Sequence, residues 1–326
     1  MPKSNKIIVI LGPTASGKSE IAIKLAKKFN GEIISADSRQ IYKHMEINTG
    51  AVPLERKENK GSTLAFSQNI PHYLISFLEP DKKYNVVNFK EAAQKIISDI
   101  LKRKKLPIIC GGTGFWIKAL IDDITFPEVK PNWKLRKKLA SESAPTLFAQ
   151  LQKKDPRRAA SIDAKNKVRL IRALEICQKL GKVPLLKKVP LNNLAKTTSS
   201  LVAKYSFLQI GIQQKKENLN QKIKLNVQEK FKNGMIEEVK KLHSVSNEKP
   251  LSWKKIQSFG LSFNLIPQYL SGKINSKKEL LEKIYQAEKN YAKRQMTWFK
   301  KDSRIKWLEN YTEIEKTVNQ FLSSKK

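Results

Sequence analysis

Cysteine and histidine are scarce in this chain, with two Cys and three His among 326 residues. Cys110 and Cys177 lie far apart and show no Cys-x-x-Cys spacing, which argues against both a zinc site and a disulfide framework and leaves them as small core residues. His44, His72 and His243 are equally scattered, so a metal cage of imidazole and thiolate is not expected. No apolar run reaches the length of a membrane span, and the N-terminal residues pass straight into a strand-like stretch without a signal-peptide pattern. The expectation is therefore no membrane partner and a cytoplasmic location. Acidic residues are the last shortage. Only 29 Asp and Glu stand against 64 Lys and Arg, a net charge of +35. The excess runs along the chain and is not gathered in a tail. A polyanionic partner is the simplest reading, although a lysine-rich proteome would charge any surface in the same way, so charge nominates RNA without establishing it.

What the chain does have is enough apolar material, 40% of residues, for a sizeable core, and a length that favours one large domain plus a smaller unit. Ile7 to Leu11 reads as a buried strand, Gly12 to Ser19 as a loop, and Glu20 to Phe29 as a helix with one apolar face. Strand signals return at Glu32–Ser35 and Pro107–Cys110. The helix between them carries Ala93, Ile96, Ile97, Ile100 and Leu101 at helical spacing behind an Asn88/Glu91 capping box. Gly111 to Gly114 forms a second glycine turn leading into a helix through Ile117 and Leu120. Alternating strands and helices predict an α/β fold, a phosphate-loop NTPase-like parallel sheet flanked by helices. From Asp122 to Ser200 only helices are expected, over Trp133–Ala140, Thr146–Lys153 and Lys167–Leu180. This gives an inserted helical domain over 122–200 within a catalytic core of 1–121 and 201–326. Tyr205 to Ile212 and Lys306 to Leu308 read as further strands, with capping boxes at Ser276/Glu279 and Thr312/Glu315. The Lys187–Ser200 stretch is the best candidate for a mobile loop.

Gly12, Pro13, Thr14, Ala15, Ser16, Gly17, Lys18 and Ser19 match the phosphate-loop pattern, with a strand before and a helix after, the context that pattern requires. In such a loop successive backbone N–H groups and the helix N-terminus cradle a diphosphate, Lys18 neutralises its charge, and the Ser19 hydroxyl is a ligand for Mg²⁺. The motif speaks for phosphate binding and leaves the reaction open. After the second strand, Asp37 stands at the sheet edge beside this loop. Spacing alone leaves three roles open to it: Mg²⁺ ligand, general base or helix cap.

Taken in order, Gly12–Ser19, Ala36–Tyr42, Gly111–Gly114 and Tyr291–Phe299 resemble the motifs of the bacterial tRNA dimethylallyltransferase family. Pro71–Leu74, Glu79-Pro80, Asp155-Pro156, Arg172–Glu175 and Gly234–Val239 extend the resemblance over nearly the whole chain. The resemblance implies that the loop grips the diphosphate of dimethylallyl diphosphate as a leaving group and that Asp37 is the general base, while Thr14 and Thr113 line the reaction channel, Thr113 also helping to hold the adenine or the base in position. It also implies tRNA contacts, through the anticodon stem-loop, at Asp37, Ser38, Arg39, Gln40, Thr113, Arg136, Val168, Arg169, Leu170, Ile171 and Arg172. Lys293 and Arg294 are further candidates on a cationic and aromatic helix, where Tyr291 and Trp298 could equally be core. A monomer is expected. The chain departs from the family at Lys222 and Asn226, where arginines are common, and around Gln257, where a basic residue is usual. A small-molecule kinase, a prenyltransferase acting on free adenylate and an inactive RNA-binding protein are the competing readings.

Overall fold

The computed structural model describes residues 5–59, 62–185, 205–244 and 250–324. Eight strands form one sheet: β1 Lys6–Leu11, β2 Gly31–Ser35, β3 Glu55–Asn59, β4 Ser62–Ser67, β5 Ile70–Tyr73, β6 Leu106–Gly111, β7 Ser206–Ile212 and β8 Lys306–Leu308. Their order is β3-β4-β5-β2-β6-β1-β7-β8. From β5 to β8 every pairing is parallel, whereas β3, β4 and β5 form an antiparallel edge.

The central strands are apolar on both faces because both faces are covered. Along β1, Ile7, Val9 and Leu11 enter one core and Ile8 and Ile10 the other, the two-residue alternation of a pleated strand. The second face is closed by α1 Lys18–Lys28 and α14 Tyr311–Ser323 through Ala22, Leu25, Ile314 and Val318. The first face takes α3 Val86–Lys102 and α4 Gly114–Ile121, following the short α2 Glu46–Thr49. It also takes α9 Lys216–Lys232, α10 Met235–His243, α11 Trp253–Gln257, α12 Ser262–Leu270 and α13 Lys277–Phe299.

By compactness the chain divides into Met1–Asp123 with Pro190–Lys326, and Ile124–Val189. The second unit contains α5 Trp133–Ala140, α6 Ala144–Lys154, α7 Pro156–Ala159 and α8 Lys167–Leu180 around Leu139, Leu147, Leu151, Leu170 and Leu174. The whole Lys187–Ser200 stretch expected as a loop, and with it the end of the 122–200 insert, lies outside the described residues. Among the described residues no helix is long and apolar enough to cross a membrane.

Several helix starts differ from expectation. The cap of α3 is Asn85, whose side chain accepts from Val87 and Asn88 N–H while Asn88 reaches back to the Asn85 amide, so the box lies one turn before Asn88/Glu91. For α14 the cap is Asn310, which accepts from Glu313 N–H, and not Thr312. Ser276 does cap α13, but Glu279 reaches the Asn275 amide and does not close a box. The stripe α13 buries runs through Leu280, Ile284, Glu288, Ala292, Gln295 and Phe299. Trp298 is left 38% exposed, so of the two readings open for this helix the one that places Trp298 in the core does not hold.

Candidate active site

At the C-terminal end of β1 the chain turns through Gly12–Gly17 into α1. A Cβ on Gly12 would stand 2.9 Å from Ser16 Oγ, so a larger residue has no room there. Ala15 and Gly17 adopt left-handed backbone at φ 58° and 85°, turning successive amides toward one concave side. A left-handed alanine is a local strain of the kind that clusters at functional sites. The first-turn amides of α1 have no helical partner and sit at the positive end of its dipole. Beneath them the buried Ser16 hydroxyl has no protein partner, and Lys18 Nζ curls back to within 3.2 Å of the Pro13 carbonyl. This concavity is built to receive an anion.

Beside it, β2 ends at Ser35 and Ala36 is wholly buried. Asp37 Oδ1 accepts from the Arg39 amide at 2.9 Å and the Gln40 amide at 3.4 Å. One carboxylate oxygen therefore holds the turn, while Oδ2 lies toward the Gly112 backbone, 3.7 Å from where a Cβ would stand. The third loop, after β6, is stitched to this turn. Thr113 N–H donates to Ala36 O at 3.2 Å, and Thr113 Oγ1 accepts from Ser38 N–H at 3.0 Å. A Cβ on Gly111 would collide with the Ala36 backbone, so only glycine permits the approach. Gln40 Nε2 donates to the Gly50 carbonyl at 3.2 Å. The Arg39 guanidinium lies over Phe259, 5.5 Å from the ring centroid.

These pieces border one cavity of about 400 Å³. Thr14, Ala15, Gly17, Lys18 and Ser19 line it from the first loop, and Asp37, Ser38, Arg39 and Gln40 from the second. Gly12, Pro13 and Ser16 are buried below the surface of the cradle. Thr113 is not part of the lining. With its hydroxyl on Ser38, it supports the Asp37 turn and does not line the channel as expected. Arg294 borders the cavity beside Tyr291, whereas Lys293 is exposed outside it. Burial, with the charges of Asp37 and Glu288, raises the Tyr291 hydroxyl well above the tyrosine range, so it stays neutral. Ser19 and Asp37 together offer hard oxygen ligands of the sort Mg²⁺ prefers. Burial lifts the nearby Cys110 thiol to about 11, leaving it unreactive.

Sequence reasoning missed the far wall. Asn226, one of the departures, lines the cavity on α9, and Lys230 follows one turn later. Lys230 is buried, with Nζ 3.2 Å from Glu288 and 3.1 Å from the Asn48 carbonyl. Asn48 is in turn held by Glu238, which accepts from its amide and side chain at 2.9 and 2.7 Å. Lys222 is exposed. Gln295 was inside a recognised motif but carried no assigned role.

In the helical unit, Glu175 collects Arg136 at 2.7 Å, Arg172 at 2.5 Å and the Asn132 amide at 2.6 Å. Burial alone would raise the Glu175 carboxyl, but these donors outweigh it and bring it to about 2. Arg136 also lies over the exposed Trp133 ring at 5.2 Å. Val168 is 79% exposed and Arg169 is exposed beside it. Leu170 is wholly buried and belongs to the unit's core, so its side chain is not available for the RNA contact expected of it.

Comparison with known proteins is consistent with this geometry. The IPP transferase family model matches residues 40–302, and an isopentenyl transferase model matches residues 5–65. A tRNA dimethylallyltransferase of Thermoanaerobacter sp. (strain X514) is 38% identical, with 98% of each chain covered. One from Acetivibrio thermocellus is 38% identical over 93% of this chain and 91% of its own. Among solved structures, the tRNA isopentenylpyrophosphate transferase of Bacillus halodurans matches with TM-score 0.66 at 28% identity, covering 98% of this chain and 97% of that one. A eukaryotic dimethylallyltransferase acting on tRNA matches with TM-score 0.72 at 26% identity, covering 98% and 77%.

Proposed function

The chain belongs to the IPP transferase family and is a prenyltransferase, and from that premise we propose that it transfers a dimethylallyl group from dimethylallyl diphosphate to tRNA. The acceptor is the exocyclic amine of the adenosine immediately 3′ to the anticodon, and the products are isopentenyladenosine and diphosphate. The observation that carries this reading is the shared cavity, where an anion cradle after β1 and a carboxylate after β2, the two strands that flank β6, face the same space.

The diphosphate occupies the cradle, where the loop amides and Lys18 stabilise charge on the oxygen that departs from the allylic carbon. Ser19 would hold Mg²⁺, which supplies further charge neutralisation when bound. The adenosine amine is weakly nucleophilic because its lone pair is delocalised into the ring. The new carbon–nitrogen bond forms as the carbon–oxygen bond breaks, and Asp37 takes the proton that the amine releases. An adenosine in an anticodon loop leaves its stack at low cost and reaches the cavity by flipping. Arg39, Gln40 and Ser38 border the place it enters. Exposed Val168 and Arg169, with Arg136 and Arg172 held on Glu175, give the helical unit a cationic surface for the anticodon stem-loop. Action as a monomer in the cytoplasm is part of the same proposal. A sedimentation mass near 37.3 kDa that is independent of concentration checks the first point.

The deciding test is nucleoside mass spectrometry after incubation with Mg²⁺, dimethylallyl diphosphate and an unmodified anticodon stem-loop, with AMP as parallel acceptor. Prenylated adenosine from the RNA is the expected result. Product from AMP alone would instead assign the chain to free adenylate.

A further inference from the structure

We propose that Gln295 is a positioning residue that locks the anion cradle to the loop supporting the general base. The inference rests on the reaction proposed above. Gln295 is 6% exposed, and its carboxamide spans two loops far apart in sequence. Gln295 Oε1 accepts from the Thr14 amide at 2.8 Å, and Nε2 donates to the Gly112 carbonyl at 3.0 Å. The orientation is fixed by chemistry, because the flipped amide would set NH₂ against N–H and carbonyl against carbonyl. Glutamate satisfies only the first partner, and a hydrocarbon satisfies neither.

What this bond pair joins gives it a consequence for the reaction. Thr14 opens the cradle in which the leaving group is gripped. Gly112 precedes Thr113, whose amide and hydroxyl hold Ala36 and Ser38 on either side of Asp37. One side chain on α13 therefore sets the spacing between the departing oxygen's site and the carboxylate that accepts the proton. Group transfer is sensitive to displacements of that spacing on the order of 1 Å. The carboxamide lies directly against the Gly112 backbone, since a Cβ on Gly112 would stand 2.3 Å from Gln295 Nε2. The same feature supplies an independent way to break the clamp: Gly112→Ala pushes the carboxamide aside while leaving Gln295 intact.

The experiment compares Gln295→Met, Gln295→Glu, Gly112→Ala and the Gly112→Ala/Gln295→Met double variant with the parent chain. Positioning predicts that kcat for RNA prenylation falls by about 30-fold or more in Gln295→Met, with KM for dimethylallyl diphosphate and the Kd for RNA within about threefold. Gln295→Glu is expected between the two. The double variant should lose little beyond the worse single variant, because both break one device. Parallel loss of binding and turnover, unchanged kcat, or fully additive losses would each overturn the proposal. Hydrogen exchange at the Thr14 amide reads the clamp without reference to chemistry. Exchange about tenfold faster in Gln295→Met is expected; equal exchange would overturn the clamp even in an active enzyme. If the parent chain forms no product, the proposed reaction fails, and the exchange result still decides the clamp.

Discussion

At the scale of single residues, the two oxygens of Asp37 have different work, and this makes a clean substitution available. Oδ1 caps the turn through the Arg39 and Gln40 amides, and asparagine keeps an acceptor at that position while removing the basic carboxylate. Asp37→Asn should hold RNA affinity within a few-fold and lower turnover by about 10²–10⁴; turnover near the parent value would remove Asp37 from the role of base. Lys230 and Glu288 pose a different question, since both side chains are nearly wholly buried, at 8% and 5% exposure. Lys230→Met leaves the Glu288 carboxylate buried without its cation, a loss of about 3–5 kcal/mol. Adding Glu288→Met should recover much of it, because two apolar side chains need no mutual neutralisation. Urea unfolding of the two variants checks this, and a double variant no more stable than the single one would mean that the pair contributes chiefly through Asn48.

At the scale of elements, what could be read in advance follows from how local the cause is. Helices α5 and α8 have the bounds expected from sequence, because a side-chain cap and an apolar face specify each of them within its own residues; strand β8 also has its expected bounds, and pairing with β7 orders it. The antiparallel edge β3–β5 was not foreseen. Glu55–Asn59, Glu-Arg-Lys-Glu-Asn, carries no apolar alternation, and its pairing with Ser62–Ser67 provides the order that its composition does not. The anion cradle and Asp37 were legible because a short motif encodes them, whereas the far wall was not, since Gln295 lies 281 positions from Thr14. A signal was nevertheless present: Glu288 and Gln295 occupy the buried stripe of α13, where apolar residues belong. Polar groups on such a stripe need partners from elsewhere. The Asn85 cap shows the local limit, since the helix starts one turn before the Asn88/Glu91 box, on the pair Asn85 and Asn88. Asn85→Ala should lower stability by about 1 kcal/mol with activity unchanged, measured as a shift in the urea midpoint; no shift would mean that the cap of α3 is redundant with its packing.

At the scale of the whole molecule, charge acts twice, on stability and on partner binding. Burial alone would raise the Glu32 carboxyl, but Arg103, Lys105 and Tyr73 outweigh it and bring it to about 2 from an ordinary 4.5, and Glu175 shifts likewise. A depressed folded-state value means that each carboxylate stabilises the fold fully above pH 4.5 and loses that contribution as pH falls from 4.5 toward 2. Thermal midpoints across that window should therefore drop, and Glu32→Gln should flatten part of the drop. The excess of +35 bears on RNA in a way that separates a binding surface from a merely lysine-rich background. If the cations contact phosphates, each contact releases counterions, and about five contacts to largely single-stranded RNA would weaken binding roughly 3,000-fold for a tenfold rise in salt. Charge spread without contact would give a shallow slope instead. Titrating an anticodon stem-loop at several salt concentrations measures the slope directly. Repeating it with Arg169→Ala, whose side chain is exposed and held by no acid among the described residues, should reduce the slope by about one unit or less if that residue meets a phosphate. An unchanged slope would confine the RNA surface to other cations of the chain.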